Sequence, residues 1–160
     1  MPTTSLRLDE IDVRLIDALQ IDADRTLRDL GEEVGLSPSA VQRRVQKYKR
    51  DGLIRTVAQI VPERAPALTQ ALVFLALTTE TPETHRRLTD ALRAHPLIRE
   101  CLLLAGEWDY VVVVSAASVQ ELRDVCTALF KADGNIRRYD TMFILDTVVA
   151  GARIPAEYLT

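Results

Sequence analysis

Leu8, Ile11, Leu15 and Leu19 recur every three or four positions, the spacing that lines apolar side chains along one side of an α-helix. The pattern predicts a helix over 8–21, with Asp9 as its cap and Asp12 three residues on. Leu27, Leu30 and Val34 define a second amphipathic run over about 26–34, where Thr26 and Asp29 have the spacing of a capping box. Gly35 supplies the left-handed residue that ends it. Ser37-Pro38 restarts a helix at once, serine as N-cap and proline at the first helical position, and Gly52 stops it after Asp51. The stretch 53–61 alternates weakly and ends at Pro62, as a short hairpin or wing would. Three helices, the last two separated by a tight turn, then a strand, predict a winged helix-turn-helix over 1–61.

Residues 62–70, with Pro62, Pro66 and mixed charge, read as a hinge. Beyond it the period changes. The run 71–78 is a buried strand, and Thr81-Pro82 opens a helix through about Ala94 with Leu88 and Leu92 on one side. Apolar strands at 98–105 and 110–115 flank Gly106-Glu107-Trp108-Asp109. Ser118 and Glu121 have capping-box spacing ahead of a helix carrying Leu122, Val125, Cys126 and Leu129. Gly134-Asn135 turns the chain into a last strand over about 138–150. The predicted order over 71–160 is β-α-β-β-α-β, a ferredoxin-like arrangement, so the chain as a whole is α+β.

Composition is that of a globular protein: 48% hydrophobic and 27% charged residues. The net charge of −3 does not advertise nucleic-acid binding, but its distribution does. Acids dominate from Asp9 to Glu33, whereas Arg43, Arg44, Lys47, Lys49, Arg50 and Arg55 face a single acid, Asp51. No signal segment or membrane span is evident, and Cys101 and Cys126, in apolar runs without metal-ligand spacing, read as core residues. These features predict a cytoplasmic protein.

On a helical wheel of the third helix, Val41, Val45 and Tyr48 fall on one side. Ser39, Arg43, Gln46 and Arg50 fall opposite, with Gln42 and Lys47 flanking. Such a face suits a DNA major groove, because guanidinium reads guanine bidentately and a carboxamide reads adenine. Lys47, Lys49, Arg50 and the wing's Arg55 suit phosphates, adding affinity without sequence information. A basic helix face alone is more often merely solvated. The tight helix spacing, the caps and the following wing favour DNA.

The stretches Leu8-Asp9-Glu10-Ile11-Asp12, Leu36-Ser37-Pro38-Ser39-Ala40-Val41-Gln42-Arg43-Arg44-Val45 and Gly52-Leu53-Ile54 resemble the Lrp/AsnC family of bacterial and archaeal transcription regulators. Gly106-Glu107-Trp108-Asp109-Tyr110 resembles the Gly-x-x-Asp-Tyr turn that joins the second and third strands of that family's ligand-sensing domain. The resemblance covers nearly the whole chain. It implies dimers formed through the sheet domain, often assembled into octamers, with an amino acid held between dimers near the turn. By the same resemblance Asp140, Thr141 and Met142 line that site. The chain departs from the pattern at Pro62-Glu63-Arg64-Ala65-Pro66 in the hinge and at Thr147-Val148-Val149-Ala150.

The residues themselves give the turn a chemical use: glycine exposes amides for a carboxylate, Glu107 or Asp109 can hold an ammonium, and Trp108 and Tyr110 can wall in a bulky side chain. The alternative is a plain hairpin turn in which Asp109 bonds backbone amides. A strand such as 110–115, apolar on both sides, needs cover on both faces, most simply a second copy of its own sheet. Such a two-fold dimer would read a pseudo-palindromic stretch of double-stranded DNA. Enzyme chemistry finds little support. His85 and His95 project about 80° apart on one helix, read as surface residues, and make no metal pair. No cofactor is implied. Two rival readings stand: a siroheme or tetrapyrrole decarboxylase, since such proteins resemble this family, and an effector-binding assembly protein without DNA binding.

Overall fold

The computed structural model describes residues 7–58, 60, 64–65, 67–149 and 153–159. The chain forms two compact units, one of residues 1–59 with 149–160 and one of residues 60–148.

The first unit is built on α1 (Glu10–Ile21), α2 (Leu27–Val34) and α3 (Pro38–Arg50). Each begins where a side chain takes up a free helix amide. Asp9 and Asp12 close a reciprocal capping box on α1, Thr26 accepts from the Asp29 amide and Ser37 from the Ala40 amide. The turn between α2 and α3 depends on two glycines. Gly35 has φ 76°, and a Cβ on Gly31 would lie 2.5 Å from the Leu36 carbonyl oxygen, so only glycine lets the turn close this tightly. Leu15, Ile16, Leu30, Val34, Val41 and Tyr48 form the buried core. No strand forms at the described positions of 53–61, contrary to the hairpin expected there. The amides of Leu53 and Ile54 both return to the Tyr48 carbonyl, which curls the chain back over the end of α3.

Ala156 completes this core with no exposed surface. It lies in a short 3-10 turn, Ala156–Leu159, against α1. The Gln20 amide both donates to and accepts from the Ile154 backbone, at 2.8 Å each way, and Asp17 accepts from the Ala156 amide at 3.2 Å. The C-terminal segment, expected to end the second domain, therefore packs as part of the first.

The second unit holds β1 (Thr69–Leu77), α4 (Pro82–Ala94), β2 (Ile98–Leu103), β3 (Tyr110–Ala116), α5 (Val119–Cys126) and β4 (Ile136–Phe143). The strands lie in the order β2-β3-β1-β4, every neighbouring pair antiparallel, which is the ferredoxin-like sheet. Ala71, Val73, Leu75, Val112 and Val114 point to the face covered by α4 and α5, where they meet Leu88, Leu92, Leu122 and Phe130. The opposite face carries Leu72, Phe74, Val111 and Val113, with Leu102 and Met142 about half exposed. β2 stops at Leu103 and β4 at Phe143, both short of the expected ends. β4 is an edge strand that pairs only with β1, and β1 begins at Thr69. Among the described residues the ladder has no rung beyond the Ile144 amide on Gln70, and Leu145, Val148 and Val149 are exposed.

Candidate DNA-reading face and effector turn

Every residue expected to touch DNA is exposed: Ser39, Gln42, Arg43, Gln46, Lys47, Lys49 and Arg50 on α3, and Arg55 after it. Val41 and Tyr48 are buried beneath them and Val45 is half-buried. Lys47 and Arg50 lie 3.7 Å from the Asp51 carboxylate, a loose pairing in solvent. Among the described residues no hydrogen bond or ion pair engages Arg43 or Gln46, so both end groups are free.

The inner side of α3 is locked by charge as well as by packing. The Arg44 guanidinium reaches Asp9 at 2.9 Å and also pairs with Asp12, whose carboxylate accepts a further hydrogen bond from the Tyr48 hydroxyl. The two carboxylates that cap α1 thus also anchor α3. Burial works to raise the Asp12 pKa, but hydrogen bonds from Tyr48, the Asp9 amide and Arg44 outweigh it and hold the carboxyl below its ordinary 3.8. Burial, and then the bond to Asp12, push the Tyr48 hydroxyl upward. Arg44 belongs to the basic run of the sequence, yet its side chain turns inward to the caps of α1 and away from the DNA-facing side. Its place three residues after Val41 and four before Tyr48, on the inner side, was the available signal.

The expected effector residues divide between the two faces of the sheet. Gly106 and Glu107 are exposed in the β2–β3 turn. Trp108 tilts against Phe74, ring centres 5.9 Å apart, and Arg138 stacks over the indole at 4.5 Å. The same guanidinium lies 2.5 Å from Asp140 and 3.7 Å from Glu107. Glu107, Trp108 and Asp140 therefore gather around Arg138, a residue that sequence reasoning did not single out. Met142 is exposed on the same face, two residues along β4.

Asp109 serves the backbone. Its carboxylate accepts the Leu77 amide at 2.6 Å, its amide donates to Leu75 and its carbonyl accepts from Leu104, so the turn is riveted to β1. Tyr110 is buried on the helix-covered face, where its hydroxyl meets His85 Nδ1. Burial, with nearby acidic groups, raises its pKa. Thr141, paired with Val73, lies on that face too. Trp108 and Tyr110 thus point to opposite sides of the sheet and do not wall one space within the chain. His85 and His95 are both half-buried rather than free surface groups. His95 ends α4, and its Nδ1 accepts from the Leu97 amide at 3.3 Å.

A helix-turn-helix with an open basic face, joined to a ferredoxin-like domain whose sheet is apolar on both faces, defines a two-domain DNA-binding regulator. Residues 8–49 match the AsnC-type helix-turn-helix domain and residues 70–154 the Lrp/AsnC ligand binding domain. The HTH-type transcriptional regulator LrpA of Mycobacterium tuberculosis is 33% identical over 138 residues, 86% of this chain and 90% of that protein. An AsnC family transcriptional regulator from Agrobacterium tumefaciens shares the fold at a TM-score of 0.84 and 23% identity, over 96% of this chain and all of its own. A transcriptional regulator from Neisseria meningitidis in complex with L-Met does so at 0.83 and 22%, with the same coverage. The chain belongs to the Lrp/AsnC family: it is a transcriptional regulator with a helix-turn-helix DNA-binding domain and a ligand-binding domain. No helix among the described residues is long and apolar enough to cross a membrane.

Proposed function

We propose that this regulator works in the cytoplasm as a homodimer, or as an octamer of four dimers, reading a pseudo-palindromic operator in double-stranded DNA. Ser39, Gln42, Arg43 and Gln46 enter the major groove, Lys47, Lys49, Arg50 and Arg55 hold phosphates, and residues 62–70 act as the hinge of the 1–61 DNA-binding region. The observation that carries this reading is the pairing of free Arg43 and Gln46 end groups with an inner helix face held by Arg44, Asp12 and Tyr48. A groove-reading helix must be rigidly backed and open outward. Dimerisation covers the sheet face of Leu72, Phe74, Val111 and Val113. The protein performs no catalysis of its own.

The effector is an amino acid at the turn. Gly106 offers amides to its carboxylate, Glu107 or Asp140 takes its ammonium, and Trp108 receives a bulky or aromatic side chain. Met142 borders the site on the same face, whereas Asp109, Tyr110 and Thr141 support the turn and the strand from behind. The Neisseria neighbour in complex with L-Met supports an amino acid as the ligand class.

Operator binding by variants tests the DNA reading. Arg43→Ala weakens specific binding by about 1–3 kcal/mol, whereas Lys49→Ala chiefly lowers the salt dependence. Equal, sequence-independent losses from both would overturn the assigned reading face. Calorimetric titration of the common amino acids tests the effector site, and no heat from any of them would remove the sensing role.

A further inference from the structure

The first unit holds a cavity of about 680 Å³ that neither the DNA-reading face nor the effector turn accounts for. Its lining is largely apolar, with Ile16, Leu19 and Val45 from the helices and Ile154 and Leu159 from the C-terminal segment. The charged residues lining it are Arg25, Lys49, Arg55 and Arg153. None of the acids that crowd residues 9–33 reaches it. Arg25 is paired with Glu33 at 2.6 Å. Lys49, Arg55 and Arg153 are exposed and have no carboxylate partner among the described residues. An apolar lining beside three cations that are unpaired among the described residues is complementary to an apolar body with a negative head. The volume is in the range that holds a small organic ligand.

We propose that this cavity is a second ligand site, inside the DNA-binding unit, for a small amphipathic carboxylate of arylalkyl or short acyl type. The apolar body lies on Ile16, Leu19 and Val45, and the carboxylate takes hydrogen bonds from Arg153 and from Lys49 or Arg55. The consequence for regulation rests on the DNA reading above. Whichever of Lys49 and Arg55 holds the ligand's carboxylate is drawn away from its DNA phosphate, so the anion weakens operator binding.

Calorimetry on the full chain, without DNA, tests the site with phenylbutyrate and its neutral amide as probes. Phenylbutyrate binds one per chain, and the amide binds about ten-fold more weakly for want of the charge-assisted bonds. Ala23→Phe, at an exposed lining position, intrudes on the cavity and weakens binding. Arg153→Ala weakens binding by about ten-fold while leaving operator affinity unchanged, and it keeps the test standing should the Phe variant misfold. No heat from phenylbutyrate, equal affinity for the amide, or indifference to both substitutions would overturn the site. Binding that leaves operator affinity untouched would keep the site and overturn its effect on DNA binding. A chain that bound no DNA would refute the DNA reading, and the calorimetry would still decide the site.

Discussion

Substituting Arg44 tests how the recognition helix is held. Its guanidinium is about one-quarter exposed, and it faces Asp12, whose side chain is 11% exposed, and Asp9 at 54%. The Asp9 arm is a surface contact worth at most about 1 kcal/mol. The Asp12 arm is largely screened from water, so its removal costs more than a surface pair and less than the about 3–5 kcal/mol of a fully buried one. Tyr48 and the Asp9 amide still satisfy part of the Asp12 carboxylate after Arg44→Ala. The expected loss is therefore about 2 kcal/mol. For a unit of this size that lowers Tm by roughly 8–16 °C. Because Trp108, the sole tryptophan, lies in the other unit, its fluorescence follows the sheet domain while circular dichroism at 222 nm also follows the three helices. The dichroism transition should move and the fluorescence transition should not. Arg43→Ala, which removes no contact, should stay within about 0.5 kcal/mol of the parent. An Arg44→Ala protein as stable as the parent, or an Arg43→Ala protein equally damaged, would refute the anchoring argument.

Further outcomes follow from the same geometry. The Asp12 carboxyl is depressed in the folded state, so its contribution is complete above 3.8 and is lost as pH falls through the lower folded value; Asp12→Asn should remove that part of acid unfolding, as pH melts would show. Gly31→Ala places a Cβ 2.5 Å from the Leu36 carbonyl oxygen and should cost about 1–3 kcal/mol by urea unfolding, with a matching fall in operator affinity. Removing residues 153–160 strips the Gln20 and Asp17 bonds and the Ala156 contact, which should destabilise the helical unit by about 2–4 kcal/mol while the Trp108 transition stays in place. Val113→Asp, on the sheet face proposed for dimerisation, should give monomers in light scattering, since that contact would bury an unpaired carboxylate; an unchanged mass would refute the proposed dimer face.

What could be read along the chain was what depends on neighbours within a turn or a tight loop. Apolar spacing and the caps Asp9, Thr26, Ser37 and Thr81 located the first four helices, because capping and i to i+4 contacts are local. The outward direction of Arg43 and Gln46 followed from the same periodicity. Choices between residues far apart in sequence were decided only by the fold. The Arg44 pairing spans 32 and 35 residues, and the docking of Ala156 on α1 spans 139. The end of β4 depends on where β1 begins, and the separation of Trp108 from Tyr110 depends on Asp109 being pinned to Leu77. Such long-range matches follow from which surfaces meet when the core closes, and the local pattern carries no record of them.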